Sequence, residues 1–202
     1  MLDFARLESG RFELEQANFD LHDLIQGVGS VLQTRAAEKG LTGGIDIGAN
    51  CPRFIVGDAA RLRQVLLSLV DNALKFTAHG SVRLHASAQE LDDRPVLRCD
   101  VTDTGVGLSK AVQERLFQIE SRIAGQTIGT GLGPSIARKL ATLMGGEVGC
   151  ESVVGQGTLY GSPFRPNPRA CPRRCRSRTR SRSSRGRSKA MSWWSRTMPS
   201  IA

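Results

Sequence analysis

Two residues of an otherwise amphipathic segment have side chains that could meet a metal ion and a phosphate. The segment runs from Arg61 to Thr77 and contains Asn72 and Lys75, three residues apart. An amide carbonyl oxygen is a ligand that Mg²⁺ accepts, and a lysine one turn further along the helix can reach a phosphate. Taken alone, the segment also fits a polar stripe that faces solvent.

A second segment, from Asp100 to Leu108, runs from a strand pattern directly into a glycine-rich turn. A carboxylate at the end of a buried strand, here Asp103, can accept a hydrogen bond from an exocyclic amine. Gly105 and Gly107 would let the backbone approach a flat ring closely. Adenine fits this combination, although an ordinary strand-to-helix turn with Asp103 as its cap would give the same residues.

A third segment places alternate glycines, Gly129, Gly131 and Gly133, immediately before a helix pattern. Such a segment exposes backbone N–H groups at the positive end of a helix, where phosphate oxygens bind. No strand leads directly into it, so it does not match a dinucleotide-binding βαβ unit. We interpret it as a flexible lid over phosphates.

The elements that must position these residues follow from hydrophobic spacing and punctuation. Helices are predicted where apolar residues recur every three or four positions, and strands where they alternate. Helices and strands in this order predict an α+β fold whose mixed sheet is covered by helices on one face. The predicted helices follow Asp20 (to Gly40) and Asp58, and span Lys110 to Phe117 and Pro134 to Met144; the predicted strands are Ile45 to Ile47, Phe54 to Val56, Val82 to Ala86, Leu97 to Val101 and a pair within Val148 to Leu159.

Charge is distributed unevenly along the 202 residues, whose formal net charge is +9. From Tyr160 onward there are 12 basic residues and no acidic one, so Met1 to Leu159 holds the remaining 16 basic and all 19 acidic residues, a net charge of −3. The part expected to fold is therefore mildly acidic, and we expect no specific nucleic-acid partner for it.

Nothing in the sequence indicates export or insertion into a membrane. No apolar run approaches the roughly 20 residues of a membrane-spanning helix, and the amino terminus does not resemble a signal peptide. The five cysteines lack paired short spacing and a histidine cluster, so we interpret them as incidental thiols of a cytoplasmic protein. They are Cys51, Cys99, Cys150, Cys171 and Cys175.

In this order and spacing, the three segments resemble the N, G1 and G2 boxes of the histidine kinase catalytic domain, a member of the gyrase, Hsp90, histidine kinase and MutL ATPase superfamily. That resemblance implies a two-layer α/β sandwich for residues 19–163, preceded by the end of a dimerisation-domain helix and linker (residues 1–18) and followed by a disordered tail (164–202). Further matching stretches are Leu2 to Arg11, Leu116-Phe117 as a reduced F box, Met144 to Gly149 and Gly155 to Thr158.

The resemblance also implies an activity and roles for residues. Such a domain transfers the γ-phosphate of Mg²⁺-ATP to a histidine on a dimerisation domain, which passes it to a response-regulator receiver domain. Asn72 would bind Mg²⁺ and act in catalysis with Lys75, and Asp103 would bind the adenine amine. The remaining ATP-binding residues would be Gly105, Gly107, Gly129, Gly131, Gly133 and Thr158.

Two features depart from the family pattern. Ser68 stands four residues before Asn72, where the hydrolytic gyrase-like branch has a glutamate that activates water; serine is a poor base at neutral pH, which favours phosphoryl transfer over hydrolysis. None of His22, His79 and His85 has the sequence context of a phosphoacceptor. A degenerate module that binds nucleotide or a partner without catalysis is therefore the alternative.

The Arg- and Ser-rich stretch from Arg173 to Lys189 cannot bury enough apolar surface to fold. It could bind nucleic acid through phosphate contacts, but we favour a reading-frame shift near Leu159 in the gene of a truncated hybrid sensor kinase. If permitted codons are chosen for the residues from Leu159 onward and are read in a frame shifted by two bases, they encode Val-Trp-Phe-Thr-Leu-Pro, a strand typical of the family. Further along, the same frame encodes a sequence like the opening of a receiver domain. The gene's DNA sequence decides between these hypotheses. A shift would cut the last strand short.

Overall fold

The computed structural model describes residues 14–91, 94–117 and 132–164. Within these ranges, four helices and seven strands alternate along the chain. In order they are β1 (Ala17–Asp20), α1 (Leu21–Glu38), β2 (Thr42–Ile47), β3 (Phe54–Gly57), α2 (Ala59–Phe76), β4 (Ser81–Leu91), β5 (Arg94–Asp103), α3 (Lys110–Leu116), α4 (Leu132–Leu143), β6 (Gly149–Val153) and β7 (Gly157–Phe164).

The main sheet has five strands in the order β2-β4-β5-β7-β6. Only β2 and β4 pair in parallel, while the other neighbours are antiparallel. Strands β1 and β3 form a separate antiparallel pair. Helices α1 and α2 pack against each other and against the sheet, and α4 packs against α2. The predicted α+β class with a mixed sheet is therefore confirmed.

The two long helices begin at the predicted aspartates. The Asp20 side chain accepts a hydrogen bond from the Asp23 N–H at 3.1 Å, and Asp58 accepts one from the Arg61 N–H at 3.0 Å. Each aspartate thus satisfies a backbone donor that the first helical turn leaves free. The apolar stripe of each helix is buried against the sheet, which fixes the rotation of α2 about its axis. The stripe residues of α2 are Leu62, Val65, Leu66, Leu69, Val70 and Ala73.

Strands β2, β4 and β5 are longer than predicted, and three further differences from the predictions have a physical reason. Strand β1 was not predicted; it forms because Ala17 to Asp20 pairs with the edge of β3. Helix α4 begins at Leu132, two residues earlier than predicted, since proline is tolerated within a first helical turn. The last strand is not cut short at Leu159, because β7 continues to Phe164 and pairs with β5 from Thr158 to Phe164.

The stretch predicted to end a dimerisation-domain helix, Leu2 to Arg11, and the Arg- and Ser-rich stretch lie outside the described residues. Among the residues that are described, no helix has the length and hydropathy needed to cross a membrane. Cys51 and Cys99 are buried free thiols and Cys150 is a half-buried one, as the cysteine pattern predicts. Burial raises the pKa of the Cys150 thiol to about 11, so it is protonated at neutral pH.

Candidate nucleotide-binding site

Asp103, the last residue of β5, is only 2% exposed. Its Oδ1 accepts hydrogen bonds from the backbone N–H groups of Gly105 at 2.8 Å and Thr158 at 3.2 Å. Its Oδ2 is buried and has no partner among the described residues. Burial raises the pKa of this carboxyl, and the two backbone donors oppose that effect. The arrangement holds one carboxylate oxygen in place and leaves the other to accept a hydrogen bond.

The turn after Asp103 has no room for side chains at its two glycines. A Cβ on Gly105 would lie 2.3 Å from the backbone oxygen of Phe76, at the end of α2. Gly107 has φ +67°, and a Cβ there would lie 2.1 Å from the Val153 carbonyl oxygen of β6. The turn is therefore packed between α2 and β6, and it joins the predicted base-binding segment to the helix that carries Asn72.

Helix α2 contributes two buried polar atoms that have no partner in the described part of the chain, Asn72 Nδ2 and Ser68 Oγ. The two residues lie one turn apart, hence on the same side of the helix. A Cβ on Gly133, in the first turn of α4, would lie 3.1 Å from Ser68 Oγ. The start of α4 thus lies beside this polar face of α2. Lys75 is exposed, with Nζ 5.5 Å from the centre of the Phe76 ring.

Thr158 is also buried and takes part in a hydrogen-bond network that spans three strands. Its Oγ1 lies 2.9 Å from Ser152 Oγ on β6. Ser152 Oγ accepts from the Leu108 N–H at 2.7 Å. Gln113 Nε2, on α3, donates to the carbonyl oxygens of Leu108 and Ser152, both at 2.8 Å. Helix α3 is therefore tied through β6 to the residue that supports Asp103.

The structure brings most of the predicted site residues together. Asp103, Gly105 and Thr158 are joined by hydrogen bonds, and Gly105 touches the helix of Asn72 and Lys75. Gly107 borders the same turn, and Gly133 lies beside Ser68; Gly129 and Gly131 lie outside the described residues. Sequence reasoning missed Ser152 and Gln113. The predicted strand pair around Gly155 could have indicated Ser152, because such a hairpin places it opposite Thr158.

Two of the histidines have structural partners. His22 Nε2 lies 3.2 Å from the Cys51 carbonyl oxygen, and its side chain is half-buried. His85 Nδ1 lies 2.7 Å from an Asp46 carboxylate oxygen.

Comparison with known proteins identifies the domain built around this site. Residues 57–162 match the family described as histidine kinase-, DNA gyrase B- and HSP90-like ATPase, which spans α2, the glycine turns and β7. The chain belongs to this family. The predicted family is thus confirmed, and all described site residues, from Ser68 to Thr158, fall inside the ATPase domain.

The chain is similar to parts of several larger sensor proteins. It is 36% identical over 166 residues to the sensory/regulatory protein RpfC of Xanthomonas campestris pv. campestris, covering 79% of this chain and 23% of that protein. It is 38% identical over 163 residues to the sensor histidine kinase GacS of Pseudomonas protegens, covering 78% and 18%. The chain thus spans about a fifth of the length of these relatives.

Solved structures agree with the fold. Full-length ShkA, crystallised in complex with AMPPNP, superposes with a TM-score of 0.73 at 37% identity, covering 82% of this chain and 34% of that one. The catalytic domain of histidine kinase ThkA superposes with a TM-score of 0.61 at 22% identity, covering 77% and 98%. The latter likeness supports the fold alone.

Proposed function

We propose that this ATPase domain binds Mg²⁺-ATP and donates the γ-phosphate to a histidine in a two-component phosphorelay. One observation carries the proposal: the Asp103 carboxylate is fixed by two backbone donors through Oδ1 and has a buried Oδ2 with no partner in the described residues. A buried acceptor without a donor is costly, so it calls for a ligand that supplies one. The exocyclic amine of adenine does so.

The polar face of α2 fits the phosphate end of the same ligand. Asn72 has a buried carboxamide atom without a partner, and a half-turn of the side chain exchanges its oxygen and nitrogen, so it can offer Mg²⁺ an oxygen. Lys75 is exposed and can meet a phosphate. Gly133 and the preceding Gly129 and Gly131 would supply backbone N–H groups. The AMPPNP complex of ShkA supports this assignment by similarity.

The chemistry expected of these residues is positioning and electrostatic stabilisation. A transferred phosphoryl group needs in-line alignment and neutralisation of charge more than covalent help from the protein. Mg²⁺, when bound, would supply charge neutralisation. Ser68 stands where a hydrolytic enzyme needs a base, and its hydroxyl is a poor one, which favours transfer to a protein acceptor over hydrolysis by water.

The remaining components of the reaction would come from other domains. We propose a histidine-containing dimerisation domain as acceptor and a receiver domain as the next carrier. The chain covers only about a fifth of RpfC and GacS, which supports the participation of further domains. We place the reaction in the cytoplasm, where ATP is available. We expect no specific nucleic-acid partner, because Met1 to Leu159 carries a net charge of −3.

A degenerate module that binds nucleotide or a partner without catalysis is the second candidate. Two observations favour it. Ser68 stands where an acid or amide would assist the reaction, and none of the three histidines has the sequence context of a phosphoacceptor. Both candidates require nucleotide or partner binding, and only the first predicts transfer to a separate histidine domain.

Calorimetric titration with ATP, with and without Mg²⁺, tests the proposal. The parent should bind saturably and more tightly with Mg²⁺, while Asp103→Asn should lose binding because an amide nitrogen replaces the free acceptor. Asp46→Asn, at an exposed carboxylate of β2, is the charge-matched control and should bind as the parent does. Transfer is then measured on a purified dimerisation domain of a relative. A folded parent that binds no ATP would refute the proposal, and binding without transfer would support the degenerate module.

A further inference from the structure

A row of three polar side chains crosses the sheet at the predicted base site. Asp103 of β5 lies opposite Thr158 of β7, and Thr158 lies opposite Ser152 of β6. Asp103 and Thr158 are each 2% exposed. The hydroxyl at the far end of the row can therefore influence the groups at the base site only through hydrogen bonds along the row.

The hydrogen bonds of Ser152 fix where its proton points. Its Oγ accepts from the Leu108 N–H at 2.7 Å and lies 2.8 Å from the Gly157 carbonyl oxygen and 2.9 Å from Thr158 Oγ1. A serine hydroxyl carries one proton, and a carbonyl oxygen can only accept. When Ser152 donates to Gly157, the contact with Thr158 is a hydrogen bond only if the Thr158 hydroxyl donates. All three contacts are satisfied in this arrangement alone.

We propose that Ser152 is a positioning residue for base selection. It accepts the hydrogen bond that the Thr158 hydroxyl donates, so Thr158 has only lone pairs to offer a ligand. Thr158 and Asp103 then both present acceptors to the base edge. With both acceptors directed at the group at position 6, this pattern favours a purine with an amine there, whose two N–H groups can meet them, over one with an oxygen, which would face two acceptors. The inference rests on the proposed binding of ATP.

The backbone around Ser152 is held firmly enough for this role. Gln113 Nε2 bridges the carbonyl oxygens of Leu108 and Ser152, so the donor to Ser152 Oγ and the residue itself are tied to the same side chain of α3. Rotation of the Ser152 hydroxyl away from Gly157 would leave that carbonyl without this partner, and a lost hydrogen bond in a buried setting is costly.

Ser152→Ala separates base selection from support of the fold. In this variant the Thr158 hydroxyl loses its acceptor and can turn to donate to a 6-oxo group, directly or through water. The ratio of affinities for ATP and inosine triphosphate, measured by calorimetric titration, should fall about five- to tenfold, as expected for one hydrogen bond gained by the wrong base. Affinity for ATP itself should change less, because Thr158 still has lone pairs to offer.

Ser162→Ala is the matched control. Ser162 is a fully buried serine on β7 whose hydroxyl donates to the Glu147 carbonyl oxygen at 3.3 Å, away from the Asp103 row. Its removal should leave the ATP-to-inosine ratio unchanged. If Ser152→Ala does not fold, Ser152→Cys keeps the shape with a weak hydrogen-bonding group and should also lower the ratio.

A double-mutant cycle tests the route through Thr158. In a Thr158→Val background, Ser152→Ala should have no further effect on the ratio, because the hydroxyl on which it acts is gone. The inference would be overturned if folded Ser152→Ala had the same ATP-to-inosine affinity ratio as the parent, or if Ser152→Ala lowered that ratio equally in the Thr158→Val background. Either result could occur with ATP still bound. A folded parent that binds neither nucleotide would overturn the proposed function as well, so the two failures are distinguishable.

Discussion

The hydroxyl of Tyr160 is buried and makes no hydrogen bond of normal length to a described residue. Tyr160 is fully buried on β7, between Val101 of β5 and Cys150 of β6, and its hydroxyl has no hydrogen-bond partner in that part of the chain. Burial is the main cause that raises the pKa of the phenol, the nearby Asp103 carboxylate adds to it, and the Thr158 side chain lowers it. The group is therefore a neutral, buried donor that lies near Thr158 without a hydrogen bond of normal length to a described residue.

Tyr160→Phe should make the domain more stable. An unpaired buried polar group costs about 1–3 kcal/mol, and phenylalanine keeps the ring while removing that group. The small cavity left by the missing oxygen offsets part of this gain in stability, so we expect a net increase of about 1 kcal/mol in the free energy of unfolding. For a domain of this size that corresponds to about 2–4 °C in Tm. Urea unfolding should show a higher midpoint with an unchanged slope.

Ser162→Ala serves as the comparison, because that buried hydroxyl does have an acceptor, the Glu147 carbonyl oxygen at 3.3 Å. Its loss should give no gain in stability. A Tyr160→Phe variant less stable than the parent would refute the reasoning, since it would mean that the hydroxyl has a partner in the native protein.

Three further predictions concern the site. Burial raises the pKa of Asp103 in the folded state, so the native protein holds this proton to higher pH than the unfolded chain and loses the associated stability as pH rises. In urea unfolding, Asp103→Asn should therefore gain stability relative to the parent as pH rises above about 4, the ordinary pKa of an aspartate, and parallel curves would count against this. Gly105→Ala, whose Cβ would lie 2.3 Å from the Phe76 oxygen, should cost about 1–3 kcal/mol and weaken ATP binding, whereas Gly57→Ala, with 3.8 Å of room, should change neither. Ser68→Asn should raise the rate of phosphoryl transfer to a supplied histidine domain if Ser68 limits it, and an unchanged rate would exclude that role.

Local patterns predicted the helices and the site because they act over short distances. The apolar spacing of α2 has one interpretation as a buried stripe, and that stripe fixes the direction of Asn72 and Ser68. Gly105 and Gly107 were predicted to lie in a tight turn because glycine lets the backbone approach a flat ring closely. In the structure the turn is tight because Phe76 and Val153 lie against it. The residues named for the base site are therefore those that the fold joins.

Contacts distant in sequence were not predictable in the same way. Strand β1 exists because it pairs with β3, some 35 residues later, and Ala17 to Asp20 has little strand pattern of its own. Gln113 joins the site by bridging two carbonyl oxygens, and a lone glutamine on a short helix carries no signal for that role. A sequence pattern reports which face a residue occupies, whereas these contacts depend on which backbone lies opposite it.

The buried atoms without partners distinguish the site from the last strand. Within the described residues there are four such side-chain atoms, and three of them, on Ser68, Asn72 and Asp103, lie where a nucleotide would supply donors and acceptors. The fourth is the Tyr160 hydroxyl, which follows immediately after Leu159, where we place the shift of reading frame. Strand β7 nevertheless persists to Phe164, because its pairing with β5 uses backbone groups, of which only Pro163 lacks its N–H, and the rings of Tyr160 and Phe164 still fill inward positions. A frame shift at this point would therefore preserve the sheet while placing a hydroxyl in the core that has no hydrogen bond of normal length to a described residue.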